Sequence, residues 1–277
     1  MKLRGGKTMR KLLETIRRPL FLYFSFLGHN LKNEMIYRSN FFILVGMDIF
    51  FMMVNVAFFA IILGEVKSIG GWNFDQMLIL IGSVGIVREL AYLTFRQGFL
   101  NIGDYIRTGE FDLLLVKPLS PQLHLGFRHI SLTESLGEGV MGILLVVVGY
   151  SRLPSQSLLH IPVYIFFLAN SLVIYYSFCL IINSAVFWII KSQELNTIVY
   201  YFMETARYPR DIFKGVGKAL FTFIIPISLI ATTPASILAG RLSLSLLLLS
   251  MGVAGALLLI GSLVWRISIR HYSSASS

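Results

Sequence analysis

Phe41-Phe-Ile-Leu-Val-Gly-Met-Asp48-Ile-Phe-Phe-Met-Met-Val-Asn-Val-Ala-Phe-Phe-Ala-Ile-Ile-Leu-Gly64 decides the fold class. Its one charged residue is Asp48, and a membrane-crossing helix needs about 20 mostly apolar residues. Further stretches of this kind run from Gln76 to Phe95 (holding Arg88 and Glu89), Ser131 to Tyr150 (holding Glu134 and Glu138), Ile161 to Ile190 and Leu242 to Trp265. Between the last two lies a broken apolar region, Leu195 to Ala239, interrupted by Pro209, Pro226 and Pro234. The whole chain agrees with this pattern. Of its 277 residues 56% are hydrophobic and 14% charged, against about 45–50% and about 25% in soluble domains. A soluble enzyme, a disordered tail and a fibrous repeat are excluded. The expected fold is an all-α integral membrane protein, residues 1–277 forming a single transmembrane domain.

The net charge of +10 reads as cytoplasmic loops rather than nucleic-acid binding, because Lys and Arg concentrate on the inner side of membrane proteins. Residues 1–40 carry nine Lys and Arg, the loop at 65–75 carries one, residues 96–130 carry four and the loop at 151–160 carries one. The alternation puts the N-terminus and the 96–121 loop in the cytoplasm, and six spans put the C-terminus there too. Within the N-terminal segment Leu20, Phe24, Leu27, Leu31 and Met35 share one helical face, with Ser25, His29, Lys32 and Asn33 opposite. A basic amphipathic helix lying on the lipid bilayer is expected.

The chemistry of soluble catalysts is missing. There is no G-x-x-x-x-G-K-[ST] loop for ATP phosphates and no H-E-x-x-H pair. A G-x-S-x-G elbow is also absent. The five histidines show no ligand spacing, so no metal site is expected. The lone Cys179 excludes an internal disulfide. No catalytic residue is assigned and the chain reads as a non-enzyme.

The loop after the second span reads Asn101-Ile-Gly-Asp104-Tyr105-Ile-Arg107-Thr-Gly109-Glu110-Phe111-Asp112-Leu-Leu-Leu-Val-Lys-Pro-Leu-Ser-Pro121. A short helix over Ile102–Thr108 can end at Gly109, which takes positive φ cheaply. Such a compact, mixed-charge segment fits either docking onto a cytoplasmic partner or simple attachment to headgroups. Gly109 to Pro121 resembles the signature of the ABC-2 type permease family (family 6-like), and Ala206-Arg-Tyr-Pro209, Phe221 to Pro226 and Thr233-Pro-Ala235 also resemble it. The resemblance implies the membrane subunit of an ATP-driven exporter, with two copies of a separate ATPase that binds ATP and Mg. It implies no cofactor in this chain itself. A second permease, identical or a sibling, is implied, as is a bacterial plasma (inner) membrane location. Coupling to the ATPase would fall on Asn101, Asp104, Tyr105, Arg107, Gly109, Glu110, Phe111 and Asp112.

The family's outer re-entrant hairpin between spans five and six would make span five residues 195–208. Hydropathy offers a rival, span five at 220–239 with Lys191–Lys218 cytoplasmic.

Ionisable residues inside spans face protein or water and mark functional or bracing sites. At 1.5 Å per residue, Asp48, Arg88 and Glu138 each sit about 10 Å inside the cytoplasmic boundary. With Glu89 and Glu134 they form an expected polar layer, in which Asp48 is expected to pair with Arg88. Gly82, Gly85, Gly252, Gly255 and Gly261 are expected to allow close helix packing. Tyr200, Tyr201, Phe202 and Glu204 are candidates for a translocation surface. The substrate class expected is a small amphiphile, drug or organic cation. The alternative function is an ATP-independent secondary transporter or channel using the carboxylates of Glu89, Glu134 and Glu138.

Overall fold

The computed structural model describes residues 28, 38–117, 121–122, 125, 136–154, 156–189 and 192–272. The expected N-terminal amphipathic helix and Glu134 lie outside them. Every regular element among the described residues is helical. In chain order they are α1 (Arg38–Glu65), α2 (Phe74–Thr94), α3 (Arg96–Leu100), α4 (Ile102–Thr108), α5 (Glu110–Leu115), α6 (Leu136–Ser151) and α7 (His160–Ser184). α8 (Ser192–Thr205), α9 (Gly215–Ala219), α10 (Ile227–Leu238) and α11 (Leu244–Arg270) follow. Four helices are long and apolar enough to cross a membrane: Ser39–Glu65, Phe74–Thr94, His160–Phe187 and Leu244–Arg270. α6 is apolar and 16 residues long. Gly215–Phe223 and Ile227–Leu238 form a pair bent by 88° that would make a fifth crossing if taken as one. The bend falls at Pro226, which leaves the preceding residue disfavoured in helical conformation.

α2 begins where the sequence supplies a reciprocal cap. Asn73 Oδ1 accepts from the Gln76 backbone N–H at 2.9 Å, and Gln76 Oε1 accepts from the Asn73 N–H at 3.2 Å. α2 is the most buried span and α1 the most exposed. α2 packs most extensively on α6, and glycine makes this possible. A Cβ on Gly82 would lie 2.5 Å from the Gly142 carbonyl oxygen, and one on Gly142 2.6 Å from that of Gly82. Between apolar helices in lipid, small residues let backbones approach and gain dispersion contact. Gly85 is equally tight against Glu138, as expected, whereas nothing lies within 4 Å of a Cβ on Gly252 or Gly255. Among the described residues those two glycines make no close helix contact. Side-chain hydrogen bonds add cross-links: Ser83 Oγ to Tyr164 OH at 3.0 Å, buried, joins α2 to α7, and Asn170 Nδ2 to Ser250 Oγ at 2.8 Å, half-buried, joins α7 to α11.

The helices have two distinct ends. At one, Arg96 Nη1 donates to Asn196 Oδ1 at 2.9 Å, tying α3 to the first turns of α8. Here too Phe111 packs on Phe187 and Tyr272. At the other, Trp72 Nε1 donates to Asp211 Oδ2 at 3.1 Å, and Gln76 Nε2 donates to the Ala239 carbonyl at 3.1 Å. Residues 196–211 therefore run from the α3–α5 end to the α1–α2 turn. Both feet of the bent pair, Asp211 and Ala239, stand at that turn.

Candidate functional site

Arg88 sits nearly two helical turns from the end of α2, and its partners come from distant parts of the chain. Its Nε lies 3.1 Å from Glu138 Oε2, and its Nη1 donates to Glu204 Oε1 at 2.9 Å. Arg207 completes the figure: Nη2 reaches Glu138 Oε1 at 3.4 Å and Nη1 reaches Glu204 Oε2 at 2.9 Å. Two guanidiniums and two carboxylates thus alternate around a closed ring of zero net charge. The planar guanidinium fork suits this bridging, since its donors address two carboxylates at once. Arg88 also lies over the Tyr200 ring, 5.4 Å from its centroid, a cation–π arrangement.

The ring replaces the expected Asp48–Arg88 pair. Glycines explain the difference. Asp48 lies against Gly137, and Glu89 packs on Gly139. The close α2–α6 approach carries Glu138, which lies between those glycines, to Arg88. In the sequence Arg207 stands out only as part of the Ala206–Pro209 motif, with no ring role assigned. Its signal was local: Glu204 and Arg207 stand three residues apart, the spacing of a same-face pair.

Above the ring a cleft of about 280 Å³ opens between α1 and α8, lined by Asn55, Phe59, Tyr201, Glu204, Thr205, Arg207 and Tyr208. Phe59 and Tyr208 meet edge to face across it, 5.6 Å between centroids. Of the candidates in α8, Tyr201 and Glu204 line the cleft and Tyr200 carries Arg88. Phe202 is turned away and packs on Phe178 at 5.3 Å.

The loop residues divide into two faces. Ile102–Thr108 forms α4, and Gly109 ends it at φ 76°. Tyr105 and Phe111 are buried, while Asp104, Arg107 and Thr108 are exposed. Asn101, Gly109, Glu110 and Asp112 are half-buried. Asp104 and Arg107 form a surface pair at 3.3 Å. The segment after Gly109 resumes as helix α5, which anchors the loop through Phe111.

A family model described as ABC-2 family transporter protein matches residues 49–276, taking in the 109–121 motif, every helix from α2 onward and all four ring residues. The chain belongs to the ABC-2 transporter family. No curated protein and no solved structure matches it. As an ABC-2 family member with several spanning helices, it is a multi-pass membrane protein and a membrane permease of the ABC transporter class. Such permeases are membrane components rather than catalytic subunits, and they generally work with an ABC ATPase.

Proposed function

We propose that this chain is the permease subunit of an ATP-driven exporter. Two copies of a separate ATPase dock beneath a pair of permeases, the second identical or a sibling. ATP and Mg belong to those ATPases, and α4 is the helix that seats in the ATPase. The observation that carries this reading is the construction of the loop in a chain of this family. α4 offers Asp104, Arg107 and Thr108 outward while Ile102, Tyr105 and Phe111 root it in the helices. A push on α4 has a route inward. The Arg96–Asn196 clasp joins the loop to α8, and α8 carries Glu204 into the charge ring about 12 Å further along its axis.

In this reading the chain crosses six times. α8 is the fifth crossing and the bent pair a re-entrant hairpin on the outer side. The two feet of that pair at the α1–α2 turn support this arrangement over a fifth span at 220–239. The termini are cytoplasmic and the membrane is the bacterial inner membrane. Substrate passes between the two permeases. The aromatic walls of the α1–α8 cleft, with Glu204 at its base, favour a small amphiphile, drug or organic cation.

The test is purification of the tagged chain in mild detergent, wild type against Asp104→Arg/Arg107→Glu. Both side chains are exposed, so the double variant keeps its thermal stability. An ATPase that co-purifies with wild type and is lost from the variant supports both the exporter and the docking helix. If wild type brings down no ATPase, the exporter reading fails.

A further inference from the structure

The α1–α2 end of the molecule carries an unexpected concentration of positive charge. Between 210 and 241 lie Arg210, Lys214, Lys218 and Arg241, with Asp211 the one carboxylate. Asp211 is already engaged by the Trp72 indole N–H, and Lys218 and Arg241 lie 3.8 and 4.0 Å from it. Arg241 also donates to the Gly71 carbonyl and lies over the Trp72 ring at 5.2 Å. Its guanidinium is thus held flat and in place.

Arg210 stands differently. It is half-buried, its Nε donates to Thr222 Oγ1 at 3.2 Å, and among the described residues it makes no ion pair. A guanidinium has five N–H donors, so its outer fork has donors to spare. Arg210 and Arg241 line one cleft of about 260 Å³ together with Trp72, Asp211, Ser243 and Ser245, so the cleft holds one carboxylate, already engaged, against two guanidiniums. Ser243 caps the N-terminus of α11, a 27-residue helix, whose positive end adds to the field. Leu246 gives the cleft one apolar edge.

Arg210 with donors to spare, the positioned Arg241 and the N-terminus of α11 around a small volume suit a tetrahedral anion with several acceptor oxygens. We propose that this cleft binds a phosphate group. The group arrives either on the headgroup of an amphiphile whose chains lie beyond Leu246 or as free phosphate. The proposal is independent of the ATPase partner and stands or falls separately from it.

The experiment is thermal unfolding of the purified full chain in detergent, titrated with dioctanoyl phosphatidic acid, dioctanoylglycerol or inorganic phosphate. Wild type is compared with Arg210→Gln, Arg210→Lys and Lys214→Gln. Wild type is expected to be stabilised by the phosphate-bearing compounds and not by dioctanoylglycerol. Arg210→Gln should weaken the apparent affinity about tenfold or more, the loss of one charge-assisted contact. Arg210→Lys keeps the charge but not the fork and should also weaken it, which preserves the test if the Gln variant does not fold. Lys214→Gln, outside the cleft, should titrate as wild type. Phosphatidic acid acting far below the concentration of inorganic phosphate identifies a headgroup site, and equal potency identifies free phosphate. Stabilisation by neither, or equal titrations of wild type and both Arg210 variants, overturns the proposal.

Discussion

Neutralising Glu138 tests the charge ring most directly. Glu138→Gln leaves Arg88 and Arg207 to share Glu204, one positive charge in excess. Three of the four ring side chains are 10% exposed or less, and Glu204 is at 29%. Removing one partner of a buried ion pair costs about 3–5 kcal/mol, because the remaining charge stays desolvated without compensation. Arg207→Met makes the opposite error and leaves one negative charge in excess, at similar cost. The double variant returns to neutrality with the Arg88–Glu204 contact of 2.9 Å intact. It should therefore be less destabilised than the sum of the single variants by about 2–3 kcal/mol, the upper part of the range for residues in contact. The assay is reversible unfolding of the four proteins in mixed micelles, read as a double-mutant cycle. Additivity within about 0.5 kcal/mol would refute the ring as an energetic unit.

Three further outcomes follow from the packing. Gly142→Ala should cost about 1–3 kcal/mol in the same assay, since its Cβ would meet the Gly82 carbonyl at 2.6 Å. Phe111→Ala should lose about 3–5 kcal/mol of anchoring. That loss should show as protease cleavage within 96–117, while Asp104→Arg/Arg107→Glu leaves this region protected. Asn196→Ala removes the side-chain acceptor of buried Arg96 and should lower unfolding free energy by about 1–3 kcal/mol, whereas Asn196→Asp, which keeps an acceptor, should restore it.

The long apolar runs announced their helices because lipid makes an uninterrupted backbone ladder obligatory. Phe41–Gly64 lies within Arg38–Glu65, and Leu242–Trp265 overlaps Leu244–Arg270. The stop at Gly109 was equally legible, since the backbone requirement is local. Partners were not. Arg88 and Glu204 are 116 residues apart, and no hydropathy window relates them. The depth argument placed Arg88 and Glu138 in one layer, but depth alone cannot rotate a helix. The turn that brings Glu138 rather than Asp48 to Arg88 is set by which glycines touch. Phe111 shows the same limit: its motif marked it as part of a docking segment, and only the fold shows that it faces Phe187 and Tyr272.

The ring also constrains inheritance. From Arg88, Glu138, Arg207 and Glu204 no single replacement by an uncharged residue reaches another neutral arrangement. Every one-step path that removes a charge passes through a descendant with a stranded partner. Lineages that abandon the ring should therefore do so two corners at a time and with opposite signs, one arginine leaving with one glutamate. A sequence carrying three of the four would be a rare intermediate, expected to hold a new charge nearby in place of the missing one.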